Sequence, residues 1–167
     1  MTELPQDLVE LAKEVLTCAR AQGKRLVTAE SCTGGLIASF LTAVPGSSDV
    51  IEGGFVTYSN DAKTRLLGVP RDALATHGAV SDIVASAMAE GALAQVQAQM
   101  AVSVTGIAGP GGGGKDKPVG LVFMALAQTD ADAVVKRYVF AGTRDDVRRA
   151  AVGAALELLL STLKAEA

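Results

Sequence analysis

The chain has 167 residues, enough for one domain with a proper core, and its 49 % hydrophobic and 20 % charged residues are those of a globular protein rather than a disordered one. A net charge of −3 argues against nucleic acid as a partner, an aromatic fraction of 4 % leaves no base-stacking platform, and no eighteen-residue apolar run offers a membrane span. Met1–Asp7 lacks the basic start and apolar core of a signal peptide, and Cys18, Cys32 and the single His77 have no metal-ligand spacing, so a reduced, cytoplasmic setting with no metal and no cofactor is expected.

Leu4, Leu8, Leu11 and Val15 step by four, three and four, which predicts an amphipathic helix ending near Gly23. Arg25–Ala29 reads as a short buried strand and Gly35–Ala43 as a helix, with Glu30-Ser31-Cys32-Thr33-Gly34 turning between them. Val44-Pro45-Gly46-Ser47-Ser48-Asp49 breaks that helix. Val50–Ser59 predicts a strand with Gly53-Gly54 as a bulge. Asn60 caps a short helix to Leu67, which Gly68-Val69-Pro70 stops, and His77 lies in a loop between two helical segments. Ser81 or Asp82 caps a long alanine-rich helix to about Ala98, where Gly91 and other small residues imply close packing. Met100–Val104 is a strand followed by the loop Thr105–Lys117, and Val119–Ala127 with Ala133–Phe140 reads as a hairpin. Val147, Ala151, Ala154, Leu158 and Leu159 mark a last helix, with Arg148 and Arg149 off its core side. Strands alternating with helices, plus one antiparallel pair, predict a three-layer α/β/α domain with a mixed, mostly parallel sheet, one domain over residues 1–167.

Ser31 sits where a strand turns into a helix, beside backbone N–H groups that have no intrahelical partner. There a serine is either a helix cap or a nucleophile next to an oxyanion or phosphate site. Ser31, Cys32 and Thr33 stand together before Gly34 and Gly35, although one cap needs only one of them. The second glycine loop, Thr105 to Lys115, imitates part of a phosphate-binding P-loop but continues with Asp116 in place of Ser or Thr and leads into a strand, which excludes a nucleoside triphosphatase. Gly111–Gly114 reads as surface loop. Thr105-Gly106-Ile107-Ala108-Gly109 lies at the carboxyl end of a strand, where open α/β sheets bind ligands. A base for Ser31 could be His77, or a tyrosine–lysine pair offered by Tyr58 and Lys63. On position alone, Tyr58 is a core-edge ring and Lys63 a solvated lysine. A lysine near a helix N-terminus is poorly placed electrostatically, which depresses its pKa as a neutral amine base requires.

The chain resembles the CinA C-terminal domain family, whose single-domain members are nicotinamide-nucleotide amidases. The blocks carrying the likeness are Thr28 to Gly35, Pro45 to Ser48, Gly54 to Asn60 with Lys63, His77 to Ser81, Thr105 to Pro110, Lys117 to Gly120, and Gly142-Thr143-Arg144 with Val147-Arg148. The resemblance implies hydrolysis of the carboxamide of nicotinamide mononucleotide, with Ser31 as nucleophile and Tyr58 and Lys63 as its activating pair. It also implies Ser48, Thr105 and Arg144 as ligand-site residues. In that frame the N–H groups near Cys32, Thr33, Gly34 and Gly35 would hold the oxyanion. Arg144 and the backbone of Thr105, Gly106, Ile107, Ala108 and Gly109 would anchor the phosphate. No pyrophosphatase activity of the kind associated with the long N-terminal domain of full CinA proteins is expected, and a homo-oligomer is. The other readings are a non-catalytic ligand-binding or regulatory module related to competence- and damage-inducible proteins, and Cys32 as nucleophile.

Overall fold

Apolar spacing and caps account for each helix. The computed structural model describes residues 4–167, so the signal-peptide expectation for Met1–Asp7 falls partly outside the described residues. Helix α1 (Gln6–Ala21) buries Leu8, Ala12, Val15, Leu16 and Ala19 along one stripe. Strand β1 (Leu26–Glu30) is buried along its whole length, and α2 (Leu36–Thr42) follows the turn after it. A short 3₁₀ turn at Ser47–Asp49 leads into β2 (Ile51–Val56). Three helices come next: α3 (Asn60–Leu67), α4 (Arg71–His77) and α5 (Asp82–Gln95). Strands β3 (Met100–Gly106), β4 (Leu121–Gln128) and β5 (Ala131–Val139) precede α6 (Arg144–Ala165).

The five strands form one mixed sheet in the order β2-β1-β3-β4-β5. It is parallel where β1 pairs with β2 and β3, and antiparallel where β4 pairs with β3 and β5. Leu26, Met100, Val102, Val104, Val122, Met124 and Leu126 face α1, α2 and α6, while Val27, Ala29, Ala101, Ala125 and Ala127 face α3, α4 and α5. This is the three-layer arrangement that the sequence pattern predicts. Because the parallel strands β1, β2 and β3 all end on the same side, the loops after Glu30, Val56 and Gly106 converge there.

Local differences from the sequence reading have simple causes. His77 closes α4 rather than lying in a loop; α4 has seven residues and buries only Leu74, too little periodicity to announce a helix. Ser59, not Asn60, caps α3, accepting from the Ala62 N–H at 3.1 Å, and Ser81 caps α5 from the same geometry. The β1–β2 register slips between the Leu26–Ile51 and Val27–Gly53 pairs, next to the expected glycine bulge. Strand β2 ends at Val56, short of Ser59, so Tyr58 leaves the sheet.

Gly91 sets how closely α3 and α5 approach. A Cβ placed there would stand 1.9 Å from the Leu67 carbonyl oxygen. In an open helix Gly→Ala gains about 1 kcal/mol, but here the added methyl must push α3 away, a strain of about 1–3 kcal/mol. Gly91→Ala is therefore expected to lower the melting temperature, measured by thermal unfolding, instead of raising it.

Candidate active site

The turn after β1 is tied down almost completely by its own hydrogen bonds. The Ser31 N–H donates to the Val104 carbonyl at 2.9 Å, which continues the β1–β3 ladder by one residue. The Gly34 N–H donates to the Ser31 carbonyl at 3.0 Å and the Leu36 N–H to the Thr33 carbonyl at 3.3 Å. The buried Glu30 carboxylate accepts from Gly35 at 3.0 Å, Ile37 at 3.1 Å and Ala38 at 2.9 Å. Every N–H from Gly34 to Ala38 is thus used inside the protein. Only those of Cys32 and Thr33 have no acceptor among the described residues. This corrects the expectation for Gly34 and Gly35. Their N–H groups are occupied, and their place in the turn follows from φ values of 62° and 98° that favour glycine.

Successive residues of a strand point to opposite faces, so Glu30 reaches α2 while Ser31 turns to the α3 side. There Ser31 meets Lys63, which lies in the first turn of α3 and is 1 % exposed. The Lys63 amine donates to Ser31 Oγ at 2.9 Å and to the Thr57 carbonyl at 2.7 Å. No carboxylate pairs with it among the described residues. Burial without a counter-charge pushes the Lys63 pKa down to about 8. The neighbouring Cys32 thiol is moved the other way, up to about 11, first by burial. A thiol held protonated is a poor nucleophile, which weighs against Cys32 in that role.

Ser31, Cys32, Tyr58, Lys63, Ala79, Val80, Thr105, Gly106, Ala108 and Arg144 line one cleft of about 220 Å³. Tyr58 is 61 % exposed at its mouth, and its hydroxyl accepts from Arg144 Nη2 at 2.9 Å. The hydrogen bonds therefore do not join Tyr58 to Lys63 or Ser31 as the expected pair, because the chain has already turned out of β2. Arg144 Nη1 donates to the Gly109 carbonyl at 2.9 Å, so Arg144 spans from Tyr58 to the glycine loop. It does not pair with the adjacent Asp145 or Asp146. Thr105 Oγ1 donates to the Ala79 carbonyl at 2.9 Å, joining the end of β3 to the segment before α5. Gly106 and Ala108 reach the cleft, whereas the Ile107 N–H is spent on the Leu121 carbonyl at 2.9 Å.

The expected ligand-site residue Ser48 and the disfavoured alternative base His77 are placed elsewhere. Ser48 is exposed in the 3₁₀ turn before β2, at the opposite end of the sheet from Ser31, because β1 and β2 are parallel. His77 is exposed at the end of α4 and does not line the cleft. Two residues that the sequence reading did not single out frame the turn instead. Glu30 enters the sequence reading only inside the Thr28–Gly35 block, and Arg148 only as a residue off the core side of the last helix and in the Val147-Arg148 block. Arg148 Nη2 donates to the Thr33 carbonyl at 3.1 Å. Their partners are backbone atoms, which leave no pattern in side-chain spacing. Among the described residues, no helix is long and apolar enough to cross a membrane, and no three His, Cys, Asp or Glu side chains gather as metal ligands would.

A hydroxyl held against a desolvated amine in an open cleft, on a small α/β/α scaffold, is equipped for acyl transfer. The family model for the CinA C-terminal domain matches residues 8–163, and the chain belongs to that family. It is 48 % identical to nicotinamide-nucleotide amidohydrolase PncC of Escherichia coli K12, over 92 % of this chain and 93 % of that protein. It is 50 % identical to a CinA-like protein of Anaeromyxobacter sp. strain K, covering 93 % of this chain but 38 % of that longer protein. The crystal structure of competence/damage inducible protein CihA from Agrobacterium tumefaciens superposes with a TM-score of 0.94 at 47 % identity, covering 98 % of this chain and 99 % of that one.

The low pKa of Lys63 makes a stability prediction. The unfolded chain binds a proton up to the ordinary lysine value near 10.5, while the folded chain releases it near 8. Between those values the unfolded state holds more protons, so stability rises with pH, and below about 8 the buried ammonium weakens the fold by its full amount. Lys63→Met is expected to unfold at a higher temperature than wild type near neutral pH. That advantage should shrink as the pH rises through 8 towards 10, measured by paired thermal melts.

Proposed function

We propose that this chain hydrolyses the carboxamide of nicotinamide mononucleotide to nicotinic acid mononucleotide and ammonia, with Ser31 as nucleophile and Lys63 as its base. The amidase reading and its substrate rest on the near full-length 48 % identity to the E. coli amidohydrolase. The observation that supports the mechanism is the 2.9 Å contact between the Lys63 amine and Ser31 Oγ, with the amine's pKa brought down to about 8. An unactivated amide needs an activated hydroxyl, and a neutral amine at that distance supplies it.

In this reading, Lys63 takes the Ser31 proton as Oγ bonds to the carboxamide carbon. The carbonyl electrons move onto oxygen, and the Cys32 and Thr33 N–H groups receive the charge. As the carbon–nitrogen bond breaks, the Lys63 ammonium returns the proton to the leaving nitrogen, which departs as ammonia. Water then gives a proton to Lys63 as it attacks the ester carbon, and when the carbon–Oγ bond breaks Lys63 passes that proton to Ser31 Oγ, freeing the acid and restoring both the hydroxyl and the neutral amine. The pyridinium charge of the substrate further favours the neutral amine. Tyr58 acts at the mouth of the cleft by steadying Arg144 rather than by relaying the proton. Arg144 takes the 5′-phosphate, since a planar guanidinium can meet two phosphate oxygens at once.

Ammonia release from nicotinamide mononucleotide is the first test. Ser31→Ala is expected to fold and release none; a folded variant at the wild-type rate would remove the mechanism. A wild type that binds the nucleotide without releasing ammonia would favour the non-catalytic module. The rate should rise with pH to a plateau through a midpoint near the Lys63 value of about 8, and His77→Ala should leave that limb in place. For Arg144→Lys, kcat/KM is expected to fall on the nucleotide and much less on the riboside, because only the nucleotide spends phosphate binding energy on positioning its amide. Equal losses on both would take Arg144 out of the phosphate site.

A further inference from the structure

We propose that Arg148 is a positioning residue for the reaction. With Glu30 it braces the Ser31–Gly34 turn from the side away from Lys63, and so holds the Cys32 and Thr33 N–H groups toward the cleft. The inference rests on the reading of Ser31 as nucleophile and of those two groups as the oxyanion donors.

The hydrogen-bond accounting supports it. The peptide between Thr33 and Gly34 is planar and held at both ends. Its carbonyl accepts from Arg148 Nη2 at 3.1 Å, and its N–H donates to the Ser31 carbonyl at 3.0 Å. Glu30 then takes the N–H groups of Gly35, Ile37 and Ala38, on the same side of the turn as Arg148. With that peptide and the helix start both fixed, the two peptides between Ser31 and Thr33 have little freedom left. They carry the donors of the turn that meet no other residue's acceptor among the described residues.

Among the described residues the ionic neighbour of Arg148 is Asp145, 3.9 Å away; the Arg148 side chain is 28 % exposed and that of Asp145 93 %. A contact so long and so wet contributes little. Its Nε is buried without a hydrogen-bond partner. A cation withdrawn from water at that cost, with the Thr33 carbonyl as its well-made contact, is placed to hold the turn. Arg148 does not line the substrate cleft, so it acts through the backbone. Behind it a separate groove of about 500 Å³, shared with Leu36, Phe40 and Arg149, opens to solvent. A free guanidinium ion could therefore enter where the side chain has been removed.

The test is steady-state ammonia release from nicotinamide mononucleotide by the full chain, as wild type, Arg148→Ala and Arg148→Lys, with a thermal melt of each. A small displacement of positioned groups costs about 10²-fold in rate. Arg148→Ala is expected to lose kcat on that scale with KM unchanged and the pH midpoint of the Lys63 limb unmoved. Millimolar guanidinium chloride should restore kcat in Arg148→Ala, and Arg148→Lys should lie between the two. A brace that only joins α6 to α2 would change the melt and leave kcat of the folded fraction alone, which overturns the proposal. So does a loss confined to KM, a shifted pH midpoint, or the absence of guanidinium rescue. If Arg148→Ala does not fold, Arg148→Lys decides: reduced kcat at wild-type KM supports the brace, and wild-type kcat overturns it. A wild type that releases no ammonia overturns the proposed function itself, whereas an active wild type matched by Arg148→Ala overturns only this inference.

Discussion

The burial of one lysine amine without a counter-charge is the constraint on which the rest of the site depends. Lys63 lies in the first turn of α3 and is kept from water by the Ser31 turn and the segment at Thr57. That position requires α3 to lie close on α5, and the contact between them is narrow enough that Gly91 has no room for a methyl group beside Leu67. Helix packing, remote from any reacting atom, thereby sets how dry the amine is. Dryness sets its pKa, and the pKa decides whether it can accept a proton near neutral pH. The same burial weakens the fold.

A helix N-terminus beside a serine invites the conclusion that the helix itself receives the anion. The hydrogen bonds give a different division of labour. Glu30 saturates the start of α2 with a carboxylate, which satisfies three N–H groups and offsets the positive end of the helix dipole. An oxyanion at that position would compete with a charge already present. The donors without an acceptor among the described residues come earlier in the turn, at Cys32 and Thr33, next to Ser31 in the chain. Alternation along β1 produces this separation, because Glu30 and Ser31 are adjacent and must point to opposite faces.

Much of this was legible from side-chain pattern. The strand-to-helix turn at Ser31, the helix start carrying Lys63 and the glycine loop after β3 follow from apolar periodicity and from Gly and Ser punctuation. Parallel strands then bring their carboxyl ends together. The contacts that lie outside that pattern are long-range and made with backbone. The Arg148–Thr33 contact spans 115 residues and ends on a carbonyl that any residue type would provide. Glu30 looked like one more polar residue in a turn, since three bonds to amides leave no trace in spacing. The absence of a Tyr58–Lys63 hydrogen bond among the described residues has a local cause: the strand stops at Val56, two residues before Tyr58, which releases the ring to the mouth of the cleft. Ser48 belongs to a recognisable block, but the parallel pairing of β1 and β2 carries it to the far end of the sheet in this chain.

Arg144 and Arg148 are four residues apart, so they rise from the same face of α6, one turn after the other. The first meets Tyr58 and the Gly109 carbonyl at the mouth of the cleft, and the second meets the Thr33 carbonyl in the turn that follows Ser31. The start of α6 is itself fixed by a capping box between Thr143 and Asp146, so both arginines project from a rigid base. One helix terminus thus touches the place where a substrate's anion would be received and the backbone that would receive the developing charge. A shift of α6 along its axis would move both contacts together, whereas either arginine could be altered alone without disturbing the other's base. Under the proposed roles, that independence would separate substrate anchoring from turn positioning on a single element, with both contacts made from the N-terminus of α6.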